Sequence, residues 1–177
     1  MFEIEFRSVF DEKKYNELKS FLETKAESSE EDDKDCYYYI FKDKLVKLVN
    51  NISKGSAKIS LKQNKIGEGA VFPEYEMHFS QDQFEVAKKI LEHITAPYKI
   101  MKGLQKRTNY KYKGCEIALK HSEAWGYHLE IEKTIKSLGD QKDAEEEIKS
   151  LAAELGIDLM SEEELKKFTK EAEEKTA

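Results

Sequence analysis

The chain has 177 residues, of which 39% are hydrophobic and 37% are charged. This length and apolar content are sufficient for one buried core, so we expect a single domain over residues 1–177. Two cysteines are too few for the disulfide framework of a small secreted protein, and the sequence shows no leader-like or long apolar segment. These features predict a cytoplasmic protein without a membrane partner.

Charge is distributed unevenly along the chain. The net charge is -6, and residues 140–177 hold 13 acidic and 6 basic side chains, which leaves 23 acidic and 24 basic side chains before them. We therefore interpret residues 140–177 as an acidic helical C-terminal extension of the same domain. Because Lys and Arg contacts with phosphate supply most non-specific nucleic-acid affinity, the absence of a basic arm argues against a dedicated nucleic-acid partner.

Alternation of apolar and polar residues predicts eight short strands. These are Phe2–Val9, Tyr37–Phe41, Leu45–Asn51, Lys58–Lys62, Glu74–Phe79, Leu104–Tyr112, Cys115–Lys120 and His128–Lys133. Turn residues separate several consecutive pairs, at Lys54-Gly55, Gly67-Glu68-Gly69 and Lys113-Gly114. A predominantly antiparallel sheet is therefore expected.

Helical periodicity occurs in four places, around residues 15–22, 84–94, 144–155 and 162–174. Capping-box spacing at Ser80 with Gln83, and at Ser161 with Glu164, predicts helix starts near residues 81 and 162. The acidic run from Glu27 to Asp35 is predicted to be a solvated loop without chemistry.

Each predicted strand has one charged and one apolar face, because successive side chains point to opposite sides. The charged faces carry Glu3, Glu5, Arg7, Lys58, Lys62, Glu74, Glu76, Arg107, Glu116, Lys120, Glu130 and Glu132. Such a face is often simply solvated, and one Glu-x-Glu pair is a weak motif. If eight strands close and helices cover the apolar face, however, the charged face turns inward. We therefore expect an α+β fold: a closed eight-stranded antiparallel β-barrel, a charged tunnel, flanked by helices and followed by C-terminal helices.

A tunnel with both carboxylates and cations matches a metal-bound polyphosphate. Carboxylate oxygens suit hard divalent cations such as Mg or Mn, and Lys and Arg neutralise the phosphate oxygens that the metal does not reach. The four histidines show no metal-ligand spacing, and the two cysteines are interpreted as buried small side chains. Trp125 is expected to pack at the barrel rim.

Several motifs in order along the chain resemble those of the CYTH family, the triphosphate tunnel metalloenzymes. They are Glu3-Ile4-Glu5-Phe6-Arg7, Asp35-Cys36-Tyr37-Tyr38, Ser60-Leu61-Lys62, Glu74-Tyr75-Glu76, Lys106-Arg107, Trp125-Gly126-Tyr127-His128-Leu129-Glu130-Ile131-Glu132 and Glu154-Leu155-Gly156-Ile157. The resemblance implies an eight-stranded antiparallel tunnel and a metal-dependent triphosphatase or class IV adenylyl cyclase. Its substrate would be ATP, thiamine triphosphate or tripolyphosphate.

Carried over residue by residue, the resemblance implies two sets of site residues. The implied metal ligands are Glu3, Glu5, Glu130 and Glu132, with Glu76 as a weaker candidate; the implied triphosphate contacts are Arg7, Lys47, Lys62 and Arg107. It assigns no general base.

The sequence also departs from the family pattern. Arg7 replaces a lysine, Val49 an arginine, Pro73 a basic residue and Lys120 an acidic residue. Lys120 is either an additional phosphate contact or a mark of altered or lost catalysis. Three interpretations therefore stay open: an enzyme that cleaves a nucleoside or organic triphosphate, a non-catalytic polyphosphate-binding or nucleotide-binding module, and an ordinary barrel with a solvated charged face.

Overall fold

The computed structural model describes residues 2–62, 74–97 and 99–175. The strands are β1 (Phe2–Phe10), β2 (Ser28–Glu31), β3 (Lys34–Ile40), β4 (Leu45–Asn51), β5 (Ser56–Lys62), β6 (Glu74–Ser80), β7 (Lys99–Tyr112), β8 (Cys115–Ser122) and β9 (Gly126–Ile135). The helices are α1 (Glu12–Lys25), α2 (Phe84–Ile94), α3 (Gln141–Leu155) and α4 (Glu162–Lys175). The predicted α+β class is confirmed, whereas the predicted turn at residues 67–69 and Pro73 lie outside the described residues.

The strands form one antiparallel sheet in the order β1-β9-β8-β7-β3-β4-β5-β6, with β2 also paired to β7. The expected closed barrel is not found, because closure requires the two outermost strands to pair. Within the described residues, β1 and β6 are edges that share no ladder. Side chains from both edges nevertheless line one cavity, so the sheet is curved but open.

The acidic run is not the solvated loop that its composition predicts. Residues 28–31 pair with β7 as β2, and residues 34–40 pair with β7 as β3 in the same continuous register. Asp32 and Asp33 interrupt this strand, and Asp32 is only 3% exposed. The prediction failed because residues 28–31 have no apolar alternation that would indicate a strand. Their backbone N–H and C=O groups nevertheless pair with those of β7.

Helices cover the apolar outer face of the curved sheet. In the larger core, α1 contributes Leu18 and Leu22 and α3 contributes Ile148 and Leu151, all packed with Ile4 and other apolar residues of β1 and β7–β9. Burial of such side chains stabilises the fold by about 1.5–3 kcal/mol each. Because the outer face is apolar and covered, the charged face of the sheet lies inward, as the alternation predicts.

A second, smaller core lies between α2 and the middle of the sheet. Phe84 and Leu91 of α2 pack with Tyr39, Leu48 and Ala57 of β3, β4 and β5. The expected capping box at Ser80 is not formed, because the Ser80 side chain makes no cap hydrogen bond and a 3-10 turn over Gln81–Gln83 precedes α2. The helical segment nevertheless begins at the predicted position.

Helix α4 lies at the cavity. Its start has the predicted capping box: the Ser161 N–H donates to Glu164 Oε2 over 2.8 Å, and the Glu164 N–H donates to Ser161 Oγ over 3.2 Å. Phe168 of α4 packs edge-to-face on Trp125 with ring centroids 5.2 Å apart, which fixes the helix beside the β8–β9 turn. No helix in the described part of the chain has the length and apolarity needed to cross a membrane.

Candidate functional site

A cavity of about 500 Å³ lies inside the curved sheet. All ten residues that the sequence predicts for the site line it: Glu3, Glu5, Arg7, Lys47, Lys62, Glu76, Arg107, Lys120, Glu130 and Glu132. They come from seven strands, since each presents its charged face to the same space. The structure therefore brings the predicted residues together, whereas their roles remain predictions.

Three carboxylates form a cluster in this cavity. One oxygen from each of Glu5, Glu130 and Glu132 lies within 4.8 Å of the other two. The register between β1 and β9 explains this, because Glu5 is directly opposite Glu132 and Glu130 lies two residues earlier on the same face. Glu3 and Glu76 line the cavity but are not part of this cluster.

Buried cations contact the same cluster. Arg7 contacts Glu5, and its Nε donates to Glu130 Oε1 over 2.9 Å. Lys120 also contacts Glu130, and Arg107 Nη1 lies 3.9 Å from Glu130 Oε2. The side chains of Arg7 and Lys120 are 10% and 4% exposed, so these ion pairs are largely desolvated.

The cations do not compensate the three carboxylates equally. Burial would raise the pKa of Glu130, but Lys120 and Arg7 outweigh it and hold that pKa well below the ordinary value. Burial, together with Glu130 and Glu5, raises the pKa of Glu132 to about 8. Burial also raises the pKa of Glu5 despite the charge of Arg7. Burial thus disfavours the charged forms of Glu132 and Glu5 more than the neighbouring cations favour them, and one more cation beside them would relieve this.

The donor set of this cluster fits a hard divalent cation. Three carboxylate oxygens close together are the ligand type that Mg and Mn prefer, and the remaining positions would be filled by water or phosphate oxygens. Glu5, Glu130 and Glu132 are therefore the residues that would hold a metal here.

More cations line the wall formed by β4, β5 and β6. Lys62 is only 8% exposed, and Lys47 Nζ lies 5.5 Å from the centroid of the Tyr38 ring. Glu76 contacts Lys58, and its Oε2 lies 3.1 Å from His78 Nε2, so this carboxylate already has basic partners. Val49, which stands where the family pattern has an arginine, is a buried apolar side chain in this wall.

One part of the cavity wall is apolar. Ile40, Leu45 and Met101 pack together there, with Tyr38 and Ala124 against them. The cavity therefore offers charged groups and an apolar surface in the same space, which suits a molecule with a polyphosphate chain and an organic group.

Sequence reasoning missed several residues of this site, among them Lys34 and His128, which both line the cavity. Lys34 shares a face with Cys36 and Tyr38, and alternation would have indicated it if the predicted strand had been extended back by three residues from Tyr37. His128 is 2% exposed, and burial with the charge of Lys120 lowers its pKa to about 4. No sequence signal separates it from an ordinary core histidine.

The expectations for Trp125 and the cysteines agree with the structure. Trp125 lies at the edge of the cavity against Phe168, and the guanidinium carbon of Arg7 is 5.9 Å from its ring centroid. Cys36 and Cys115 are buried and unbridged, and burial raises the pKa of both thiols. Neither thiol is therefore activated as a nucleophile.

No protein-family model matches the chain, and no curated protein sequence matches it significantly. Solved structures do match. A proposed adenylate cyclase from Vibrio parahaemolyticus has a TM-score of 0.66 and 15% identity, over 93% of this chain and 92% of that one. A proposed adenylyl cyclase from Hippeastrum, described as having a dominant triphosphatase activity, has a TM-score of 0.61 and 14% identity, over 89% of each chain. The chain has the fold of the triphosphate tunnel proteins.

The expected resemblance to the CYTH family, the triphosphate tunnel proteins, is thus confirmed at the level of the fold. The same fold also occurs in the Schizosaccharomyces pombe Mediator head module, where the matching chain has a TM-score of 0.66 and 11% identity, over 90% of this chain and 98% of that one. Because a fold can host unrelated functions, activity must be argued from the residues of the cavity.

Proposed function

We propose that the chain is a divalent-metal-dependent enzyme that cleaves a nucleoside or organic triphosphate in the cavity of the curved sheet. The observation that carries this proposal is the contact of the Glu5, Glu130 and Glu132 cluster with the largely buried cations Arg7 and Lys120, with Arg107 Nη1 3.9 Å from Glu130 Oε2. Carboxylates and fixed cations side by side can accept a metal and a polyphosphate at the same place.

The residues would divide the work by charge. Glu5, Glu130 and Glu132 would hold Mg or Mn, which supplies charge neutralisation and polarisation of phosphate oxygens when bound. Arg7, Lys62, Lys120 and Arg107 would bind the phosphate oxygens and fix the chain in one orientation, and Lys47 would extend this wall along β4. Catalysis of phosphoryl transfer depends largely on such positioning and electrostatic stabilisation.

A second function is a binding module of the same fold that holds a polyphosphate or nucleotide without turnover. Two observations favour it: Val49 lines the cavity where the family pattern has an arginine, and Lys120 forms an ion pair with Glu130 where an acidic residue is expected. Both changes alter the charge that catalysis would use.

Product analysis tests the proposal. The protein is incubated with Mg or Mn and, separately, with ATP, thiamine triphosphate and tripolyphosphate, and products are separated by chromatography. Release of orthophosphate establishes a triphosphatase, whereas cyclic AMP with pyrophosphate establishes a class IV adenylyl cyclase.

Calorimetric binding and thermal unfolding separate the remaining outcomes. A ligand that binds only the native state at 100 times its dissociation constant stabilises it by about 2.7 kcal/mol, so metal with tripolyphosphate should raise the Tm. Tight metal-dependent binding without turnover of any substrate would support the binding module. Absence of both binding and a Tm shift at millimolar concentrations would reject both functions.

A further inference from the structure

Asp32 is a buried carboxylate, and it is not one of the described residues that line the cavity. It lies at the interruption between β2 and β3, and its backbone N–H donates to Arg107 O over 2.8 Å. Its side chain is 4% exposed. A buried carboxylate is costly unless several donors surround it, so its partners show what it does.

Among the described residues, five side chains provide donors to the two oxygens of Asp32. Oδ2 lies 2.5 Å from Lys34 Nζ, 3.3 Å from Arg107 Nε and 3.0 Å from Asn109 Nδ2, whereas Oδ1 lies 2.6 Å from Asn51 Nδ2 and 3.5 Å from Lys54 Nζ. Burial would raise the pKa of Asp32, but Lys34 and the two asparagines outweigh it and hold the pKa well below the ordinary value. The carboxylate is therefore charged and fully engaged.

Two of these partners, Lys34 and Arg107, line the cavity. Asp32 contacts both from behind, and Arg107 Nε also donates to Asn109 Oδ1 over 2.5 Å. The Nε edge of the guanidinium is thus fixed, whereas Nη1 points towards the carboxylate cluster, 3.9 Å from Glu130 Oε2. Arg107 is held between an anchor outside the cavity and the site inside it.

We propose that Asp32 is a positioning residue for polyphosphate binding: it holds Lys34 and Arg107 in the cavity wall so that their charges face a bound polyphosphate. This inference rests on the proposed function, since it assigns these two cations to the same ligand. Asp32 acts through them and touches no ligand itself.

Removal of the Asp32 charge would have two consequences. Among the described ion pairs, Glu130 would be the remaining acidic partner of Arg107, so the guanidinium would shift towards a carboxylate of the cluster. Lys34, whose pKa is already lowered by burial and by Arg107, would lose the carboxylate that favours its charged form. Both changes remove fixed positive charge from the polyphosphate side of the cavity.

The test is calorimetric titration of tripolyphosphate, with and without Mg, into wild type, Asp32→Asn and Asp33→Asn. Groups that hold a metal-ligating residue in place typically contribute about 10–100-fold to affinity or activity, and Asp32 would hold its cations in a similar way. We expect a loss of this size in Asp32→Asn and restoration of a substantial part of it in Asp32→Glu. Asp33→Asn is the matched control, because Asn keeps an oxygen that can accept the Arg107 backbone N–H and removes only the charge that faces Lys106, which is 61% exposed and does not line the cavity.

The outcomes separate this inference from the proposed function. If wild type does not bind tripolyphosphate, the proposed function itself fails. If wild type binds it and folded Asp32→Asn binds equally well, only the positioning role is overturned.

Should Asp32→Asn not fold, Asn51→Ala provides the decision, because it removes a donor of Asp32 whose side chain bonds neither Lys34 nor Arg107 among the described contacts, and Asp32 keeps its cationic partners. A severalfold loss of tripolyphosphate affinity supports the role of Asp32, and unchanged affinity overturns it. Circular dichroism at the titration temperature shows whether each variant is folded. A loss of affinity in a folded variant then cannot be due to unfolding, whereas a purely structural role of Asp32 would leave the affinity of the folded protein unchanged.

Discussion

The carboxylate cluster and the surroundings of Asp32 are two buried acidic regions with opposite electrostatic balance. In the cluster, Glu132 faces two other carboxylates, and burial together with these neighbours raises its pKa to about 8. At Asp32, one carboxylate faces five donors, and its pKa is held well below the ordinary value. Arg107 joins the two regions.

This difference shows that burial alone does not determine what an acidic residue does. A region in which buried carboxylates are incompletely compensated can accept another cation, whereas a region in which donors surround one carboxylate holds the cations it already has. We therefore assign metal binding to the first region and positioning of cations to the second.

The largest effect is expected from Glu132→Gln, which removes a carboxylate that a bound metal would deprotonate, with little change of shape. We expect metal affinity and metal-dependent turnover to fall by about 100-fold or more, because metal sites lose much of their affinity with each ligand charge. Isothermal titration with Mn and steady-state kinetics measure the two quantities. Glu3→Gln is the control, since Glu3 lines the same cavity outside the cluster.

Equal losses in Glu3→Gln and Glu132→Gln would show that the negative charge of the whole cavity, rather than the cluster, attracts the metal. Wild-type metal affinity in Glu132→Gln would remove the cluster from consideration as the metal site.

A smaller effect is expected in the coupling between metal and polyphosphate. Arg7 and Lys120 contact the carboxylates that would hold a metal, so a polyphosphate that draws these cations away frees carboxylate oxygens. Each ligand should therefore raise the affinity for the other, by about 5–150-fold as is typical of coupled sites, and by the same factor in both directions. Titration of each ligand with and without the other measures this factor, after correction for metal–polyphosphate complexes in solution.

Lys120→Met sharpens the same test, because it removes the cation from Glu130 and preserves much of the side-chain volume. We expect stronger binding of metal alone and weaker coupling in this variant. Independent binding of the two ligands in wild type would contradict the exchange of partners, and so would unchanged coupling in Lys120→Met.

Much of the fold follows from the strand alternation. Side chains such as Glu3 and Glu5 on one face, with Ile4 on the other, identify the strands and the direction of each face. The sequence could not predict whether the sheet closes, because closure depends on pairing between the first strand and a strand more than 60 residues away. The absence of a ladder between β1 and β6 in the described part of the chain is such a long-range property.

In the site, too, features set by nearby residues in the sequence could be predicted, and features set by distant residues could not. The ten predicted residues reach one cavity because strand faces and the family resemblance both concern local sequence. Asp32 was missed because its burial depends on Asn51 and Asn109, which are 19 and 77 residues away. Within the acidic run, nothing in the local composition distinguishes Asp32 from its solvated neighbours.

The smallest expected effect concerns the stability of the metal-free protein, and its sign separates the two regions most clearly. The pKa of Glu132 is raised from the ordinary value of 4.5 to about 8, so the folded state keeps a proton that the unfolded state loses. The stability that this proton provides is fully present below about pH 4.5 and is lost as the pH rises through about 8.

Glu132→Gln removes this titration and leaves a neutral side chain at every pH. In the presence of a chelator, we therefore expect its Tm relative to wild type to rise between pH 5 and pH 8, where one kcal/mol corresponds to about 2–4 °C for a chain of this size. The substitution that abolishes metal binding should thus stabilise the metal-free fold at pH 8. Calorimetry at pH 5, 6.5 and 8, with Glu3→Gln as the control, measures the trend. A Tm difference that is constant or falls with pH would mean that the cluster already has the positive charge it needs, as Asp32 does, and would remove the electrostatic reason for a metal there.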